Sequence, residues 1–113
     1  MAAVPHSASA APSFDCKKAS GIVEQEICSI AEFSALDSDI AASFKAALAA
    51  LPPADAEALR ADQRAWLKTR DDCGDRIHGD PPIYIDVYAC LRDQLKARAA
   101  RLHTIVSNKA FKP

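Results

Sequence analysis

The chain has 113 residues, half of them hydrophobic and only three of them glycine, with a formal net charge of −1. This length supports one small domain and excludes two independent hydrophobic cores. The near-neutral charge gives no general affinity for nucleic acids or anionic membranes, and no apolar run approaches the ~20 residues of a membrane-spanning helix. Abundant alanine and scarce glycine favour an all-α fold.

The first thirteen residues, MAAVPHSASAAPS, show no hydrophobic periodicity, and we expect a disordered lead-in over 1–13. Within it, Ala8-Ser9-Ala10 resembles the A-x-A pattern that signal peptidases cleave, although no apolar segment precedes it. We therefore interpret residues 1–13 as the remnant of a signal-peptide region that has been removed, with Met1 supplied for expression.

A short first helix is predicted from about Ser20 to Cys28, with Ser20 as its N-cap. Ser29-Ile30-Ala31-Glu32 has the spacing of a capping box, so a second helix should begin there and continue to about Leu51. Pro52-Pro53 should end it. One apolar stripe follows this second helix: Phe33, Leu36, Ile40, Phe44, Leu48 and Leu51.

A third helix is predicted from about Ala54 to Cys73, and a fourth from about Ile83 to Val106. The stripe of the third helix is Leu59, Gln63, Trp66, Leu67, Arg70 and Cys73, and that of the fourth is Tyr84, Val87, Tyr88, Leu91, Leu95, Leu102 and Ile105. Stripes of this kind are buried only against one another, so we predict a small antiparallel helical bundle over 14–106, with one short and three longer helices. We expect the tail, 107–113, to fray.

Four cysteines allow three disulfide connectivities. In one continuous helix Cys16 and Cys28 would lie ~18 Å apart, whereas a disulfide needs Cα atoms within ~7 Å. An extended segment from Cys16 to Ser20 spans ~13 Å and a helix from Ser20 to Cys28 returns ~12 Å, so the chain can double back. The loop between the third and fourth helices likewise brings Cys90 beside Cys73. We predict the pairs Cys16–Cys28 and Cys73–Cys90, formed in an oxidising compartment.

The sequence shows no constellation typical of catalysis or metal binding. Zinc ligands occur in pairs a few residues apart, whereas eleven and sixteen residues separate these cysteines. His6, His78 and His103 do not form a recognisable catalytic triad, and disulfide-bonded cysteines are not nucleophiles. Asp71 and Asp72 are neighbours on a helix and point in different directions, unlike a glycosidase pair. We therefore predict a protein without enzymatic activity, metal or cofactor.

Gln63 and Arg70 are polar residues on the apolar stripe of the third helix, and a buried arginine needs a partner. A hairpin about Pro52-Pro53 places side by side the residues whose numbers sum to roughly 105–107, which sets Asp37 beside Arg70. We predict a structural Asp37–Arg70 ion pair, with a functional site as the alternative. The other residues predicted to be structural are Leu36, Gln63, Trp66 and Leu91.

Charge is unevenly distributed along the chain. Residues 14–62 carry nine acids and four bases, whereas residues 63–113 carry six acids and ten bases. Either the helix faces are simply solvated, or an acidic face attracts a basic partner. The candidate partner-binding acids are Glu24, Glu26, Glu32 and Asp39. The loop GDRIHGDPP, 74–82, is either a plain connector or a preorganised protrusion whose candidate contacts are Arg76, His78 and Asp80.

Five segments carry a family resemblance: FDC at 14–16, VEQEIC at 23–28, LD at 36–37, QRAWLKTRDDC at 63–73 and CL at 90–91. As a set they resemble the N-terminal domain of LprI-type lysozyme inhibitors, over roughly residues 14–102. The resemblance implies a disulfide-bonded, all-helical bacterial domain that is secreted or periplasmic and that inhibits lysozyme.

The function that the resemblance implies is occlusion of a lysozyme by protein–protein binding. Animal lysozymes are basic, so the acidic half of the chain would speed association. The alternative is a helical interaction module of the cell envelope with a different protein partner. In both cases we expect a monomer with no nucleic-acid partner and no membrane span.

Overall fold

The computed structural model describes residues 11–113. The suggested signal-peptidase site and most of the predicted lead-in lie outside these described residues. Within them the chain is all-helical, as predicted, with four α-helices and no strand. The helices are α1, Gly21–Ser29; α2, Ala31–Ala50; α3, Pro53–Asp71; and α4, Ile85–Asn108. A 3₁₀ turn, Cys16–Lys18, precedes α1, and a 3₁₀ segment, Asp72–Arg76, follows α3.

The helix boundaries agree closely with the predictions, but the predicted capping box at Ser29 is wrong. Ser29 is the last residue of α1, and its hydroxyl donates a hydrogen bond of 2.8 Å to the carbonyl of Gln25. Ile30 is instead the N-cap of α2, and its own N–H donates to the carbonyl of Glu26. One residue therefore links α1 to α2, because its N–H completes the first helix while its carbonyl begins the second.

Both predicted disulfides are present. Cys16 pairs with Cys28 at a Cα–Cα distance of 5.9 Å, and Cys73 pairs with Cys90 at 5.6 Å. The first closes the 3₁₀ turn onto the end of α1, so the chain doubles back as the lengths of its segments predict. The second joins the 3₁₀ segment after α3 to the second turn of α4.

The core is built mainly between α2 and α4, which pack along much of their lengths. Its fully buried side chains include Ile27, Phe33, Leu59, Leu91, Leu95, Leu102 and Ile105. The backbone of α3 comes close to those of α2 and α4 at far fewer positions. The helices α2 and α4 thus form the closest pair, α3 lies less closely against both, and a groove lies between α2 and α3.

Two predictions about burial need correction. Tyr84, Tyr88 and Leu67 lie on predicted apolar stripes, but all three are exposed. The tail that was expected to fray begins inside α4, and Phe111 beyond the helix is buried. Its ring lies 5.3 Å from the guanidinium of Arg101, so the tail returns to the bundle because it carries an apolar group to bury.

Candidate functional site

The groove between α2 and α3 has a volume of about 380 Å³. From α2 it is lined by Asp37, Ile40, Ala41 and Phe44, and from α3 by Gln63, Trp66, Leu67 and Arg70. Ser13, Phe14 and Glu24 complete the lining. The groove is therefore mostly apolar, with a few charged and amide groups among its walls. Concave surfaces of this size and composition are typical of binding sites.

Arg70 is only 6% exposed, and its guanidinium lies between two carboxylates. Its Nε and Nη2 atoms donate to Oδ1 of Asp71, at 3.0 and 2.7 Å. Its Nη1 atom lies 3.9 Å from Oδ1 of Asp37, a charge contact without a direct hydrogen bond. The hairpin register thus places Asp37 near Arg70, but the adjacent Asp71 is the closer partner.

The buried carboxylate of Asp37 takes its hydrogen bonds from the segment before α1. The backbone N–H and the hydroxyl of Ser13 both donate to Oδ2 of Asp37, each at 2.6 Å. Ser13 was expected to belong to the disordered lead-in. It is ordered because a carboxylate that is buried on α2 requires donors, and Arg70 supplies none within bonding distance.

A second buried arginine, Arg98 of α4, was not singled out by the sequence patterns. It is 7% exposed, and it donates from Nε to Oε1 of Gln63 and from Nη1 to Oδ2 of Asp62, both at 2.8 Å. The guanidinium lies 5.5 Å from the centre of the Trp66 ring. The sequence did carry a signal for this burial, because Arg98 lies three residues after Leu95 and therefore on the apolar face of α4.

Residues 77–84 connect the 3₁₀ segment to α4, and together with the first turn of α4 they form a short protrusion. We call residues 77–88 the 77–88 projection. The backbone groups of His78 and Ile83 exchange two hydrogen bonds, and His78 Nε2 lies 2.9 Å from Asp86 Oδ2. Its exposed large apolar side chains are Ile77, Ile83, Tyr84, Ile85 and Tyr88, and Ile85 reaches 69% exposure. Arg76 and Asp80 are exposed beside them.

The four candidate acids do not form one free acidic face. Glu32 lies 3.5 Å from Arg92 and 3.9 Å from Lys96, both on α4. Asp39 lies 2.9 Å from His103, also on α4. Of the other two, Glu24 accepts a hydrogen bond from the N–H of Ser20 and Glu26 is half-buried. The acidic half and the basic half of the sequence are thus partly paired across the α2–α4 interface.

The described part of the chain contains no cluster of three or more residues arranged to hold a metal ion. No helix within it is long and apolar enough to cross a membrane. The residues whose arrangement stands out are instead those of the groove and of the projection. Seven of the eleven residues that line the groove come from the segments by which the sequence resembles LprI-type inhibitors.

A comparison with protein families supports that resemblance directly. The family model described as "Lysozyme inhibitor LprI" matches residues 16–102, a range that contains both disulfides, the groove helices and the projection. No curated protein and no solved structure matches the chain. Because the family model covers most of the sequence, the chain belongs to the LprI family of lysozyme inhibitors.

Proposed function

We propose that this protein binds a lysozyme and inhibits it by occluding the substrate cleft. Family membership supports a lysozyme as the target. The observation that carries the mode of action is the 77–88 projection, where five large apolar side chains are exposed within twelve residues. Contiguous exposed apolar side chains on a small soluble domain mark an interaction surface.

The projection is preorganised for binding. Cys73–Cys90 fixes its base, and the two backbone hydrogen bonds between His78 and Ile83 hold its turn. At the helical end, the Tyr88 ring lies 5.1 Å from the ring of buried Phe33, so the projection rests on the core. A surface that is already rigid loses less conformational entropy on association.

Charge around the projection suits a basic partner. The stretch 71–86 contains five aspartates and one arginine, although it lies in the basic half of the chain. Carboxylates around an apolar contact raise the rate of encounter with a basic protein. In this arrangement Ile83, Tyr84 and Ile85 make the central contacts, while Arg76, His78 and Asp80 lie at the rim.

The two disulfides fit a protein that works outside the cytoplasm, and we propose a periplasmic or secreted location, where an inhibitor meets lysozyme. The alternative is an envelope interaction module, in which the same projection binds a different basic protein. Occlusion requires no catalytic residue, so we propose that the protein acts without turnover, and as a monomer.

Titration calorimetry with the oxidised protein against a panel of lysozymes tests the proposal, together with a lysis assay on the same samples. We expect binding of one inhibitor per enzyme, with a dissociation constant of roughly micromolar or below, and inhibition that follows occupancy. If neither heat nor inhibition is detected at tens of micromolar, the lysozyme is not the target and the envelope module remains.

A further inference from the structure

The groove between α2 and α3 carries more negative than positive charge within largely apolar walls. Glu24 and Asp37 line it against a single base, Arg70. The positive charge of Arg70 is directed towards Asp71, outside the lining, through the hydrogen bonds of Nε and Nη2. The carboxylates of Glu24, Asp37 and Asp71 and the guanidinium of Arg70 together have a formal net charge of −2.

One acceptor in the groove remains available. Within residues 11–113, both hydrogen bonds to Asp37 reach its Oδ2 atom. Its Oδ1 atom has only the distant Nη1 of Arg70, 3.9 Å away. Because Asp37 is 5% exposed, Oδ1 is a poorly hydrated carboxylate oxygen, and a cationic donor that reached it would form a strong charge-assisted bond.

The walls of the groove suit an aliphatic chain. Ile40 and Ala41 of α2 face Leu67 of α3 across it, with the aromatic rings of Phe44 and Trp66 beside them. Lysine buries its methylene chain along apolar surfaces while it keeps its charged end near polar groups. Aromatic rings add a favourable interaction with the ammonium group.

We infer that this groove is a socket for a lysine side chain of a basic protein partner. The ammonium group donates to Oδ1 of Asp37, and the methylene chain lies between α2 and α3. Lysine fits better than arginine, because a guanidinium forms its strongest pair with both oxygens of a carboxylate and Ser13 already uses Oδ2. The inference rests on the proposed function only in taking the partner to be a basic protein.

Trp66 provides a local readout, because it lines the groove and is the only tryptophan in the chain. The probe is lysine capped as N-acetyl-lysine methylamide, titrated at constant ionic strength while Trp66 emission is recorded. We expect a saturable change with a dissociation constant of roughly millimolar, which is the affinity range of a small ligand held by one ion pair.

Two capped amino acids serve as matched probes. Norleucine has an aliphatic chain without the charge, and it should bind at least about tenfold more weakly. Glutamate has the opposite charge and should give no saturable change. Equal responses to lysine and norleucine, or no saturable response to lysine up to ~50 mM, which is about fiftyfold above the expected constant, overturn the inference.

Ala41→Leu places extra volume in the groove without removing a polar contact, and it should weaken capped-lysine binding at least about tenfold. Ala61→Leu makes the same change at an exposed position of α3 and should leave binding unaltered. Unchanged binding to a folded Ala41→Leu protein overturns the inference. Should that variant fail to fold, NMR shifts of the unaltered protein decide, since capped lysine must perturb Ile40, Ala41 and Leu67 and spare the 77–88 projection.

These measurements use no lysozyme, so they succeed or fail independently of the proposed function. Lysine binding without lysozyme binding leaves the socket in place and indicates another basic partner. Lysozyme binding without lysine binding removes the socket and leaves inhibition through the projection.

Discussion

The guanidinium of Arg98 lies 5.5 Å from the centre of the Trp66 ring and joins α4 to α3 at the point where the two helices meet. It donates to Asp62 and Gln63 on α3, and Trp66 returns a hydrogen bond of 3.2 Å from Nε1 to Gln94 on α4. Together with buried Leu59 and the Cys73–Cys90 disulfide that follows α3, this polar cluster holds α3 to the rest of the bundle.

Arg98→Met should therefore destabilise the protein more than substitutions at exposed positions do. The change keeps an aliphatic side chain but leaves the buried amide of Gln63 without its donor, so we expect a loss of roughly 2–3 kcal/mol in the free energy of unfolding. Urea denaturation measures the loss, and Trp66 emission reports the environment of the ring. Arg64→Met, at an exposed position of α3, is the control and should change stability by less than about 0.5 kcal/mol. Equal stabilities of the two variants would show that Arg98 does not hold α3.

The carboxylate of Asp37 connects the segment before α1 to both groove helices. Its two partners, Ser13 and Arg70, should contribute unequally to the free energy of unfolding. Ser13→Ala removes the hydroxyl but leaves the backbone N–H, so we expect a loss of about 1 kcal/mol. Arg70→Ala leaves two carboxylates without their buried cation, and we expect a loss of about 3 kcal/mol. Thermal and urea denaturation give both values, with exposed Lys68→Ala as the control. An Arg70→Ala protein as stable as the control would contradict this role.

Helix positions and disulfide pairing were predictable because both follow from local rules. Apolar residues at intervals of three and four fixed the helices, and the lengths of the connecting segments limited which cysteines could meet. The register of the α2–α3 hairpin also follows from counting residues about Pro52-Pro53, which is why Asp37 and Arg70 lie near each other.

The groove between α2 and α3 could not be predicted, because it depends on contacts between distant parts of the chain. A periodic apolar stripe predicts that one face of a helix is buried against its neighbours, but it does not predict over how much of the helix that face is buried. Trp66 and Leu67 lie on such a stripe and line the groove instead of a closed core. Arg98 and Ser13 depend on partners 35 and 24 residues away, which no local pattern identifies.

Removing the disulfides should have unequal effects. Each closes a loop of similar length, so the chain-entropy model gives each about 3 kcal/mol. Cys73, however, is fully buried, whereas Cys16 is exposed. Serine at position 73 adds the cost of a buried hydroxyl, so the double variant Cys73→Ser/Cys90→Ser should be less stable than Cys16→Ser/Cys28→Ser by at least about 1 kcal/mol. Urea denaturation of the two double variants measures both free energies of unfolding. A Cys73→Ser/Cys90→Ser protein that is the more stable of the two would contradict this prediction.

The apolar side chains of the projection should affect binding without affecting folding. Ile85 is 69% exposed, so Ile85→Ser removes apolar contact area in the complex at little cost to the free protein. We expect the dissociation rate from a lysozyme to rise about tenfold, with stability changed by less than about 0.5 kcal/mol. Surface plasmon resonance measures the rate. Ala61→Ser, at an exposed position of α3 outside both the projection and the groove, is the control for a substitution elsewhere on the surface. Equal effects of the two substitutions on dissociation would contradict a contact centred on Ile85.

The aspartates in and next to the projection should control the association rate more strongly than the acids of α2. Glu32 lies beside Arg92 and Asp39 contacts His103, both on α4, so neutralising these two acids disturbs contacts within the bundle instead of a free acidic surface. Asp75 and Asp80 are exposed beside the apolar contact, and their charges act directly on an approaching basic protein.

We expect Asp75→Asn/Asp80→Asn to slow association severalfold at low salt while leaving the dissociation rate nearly constant. The difference should vanish near ~1 M salt, where the Debye length falls to about 3 Å. A larger effect from Glu32→Gln/Asp39→Asn would place the binding surface on α2 instead, because steering acts most strongly through the charges nearest the contact.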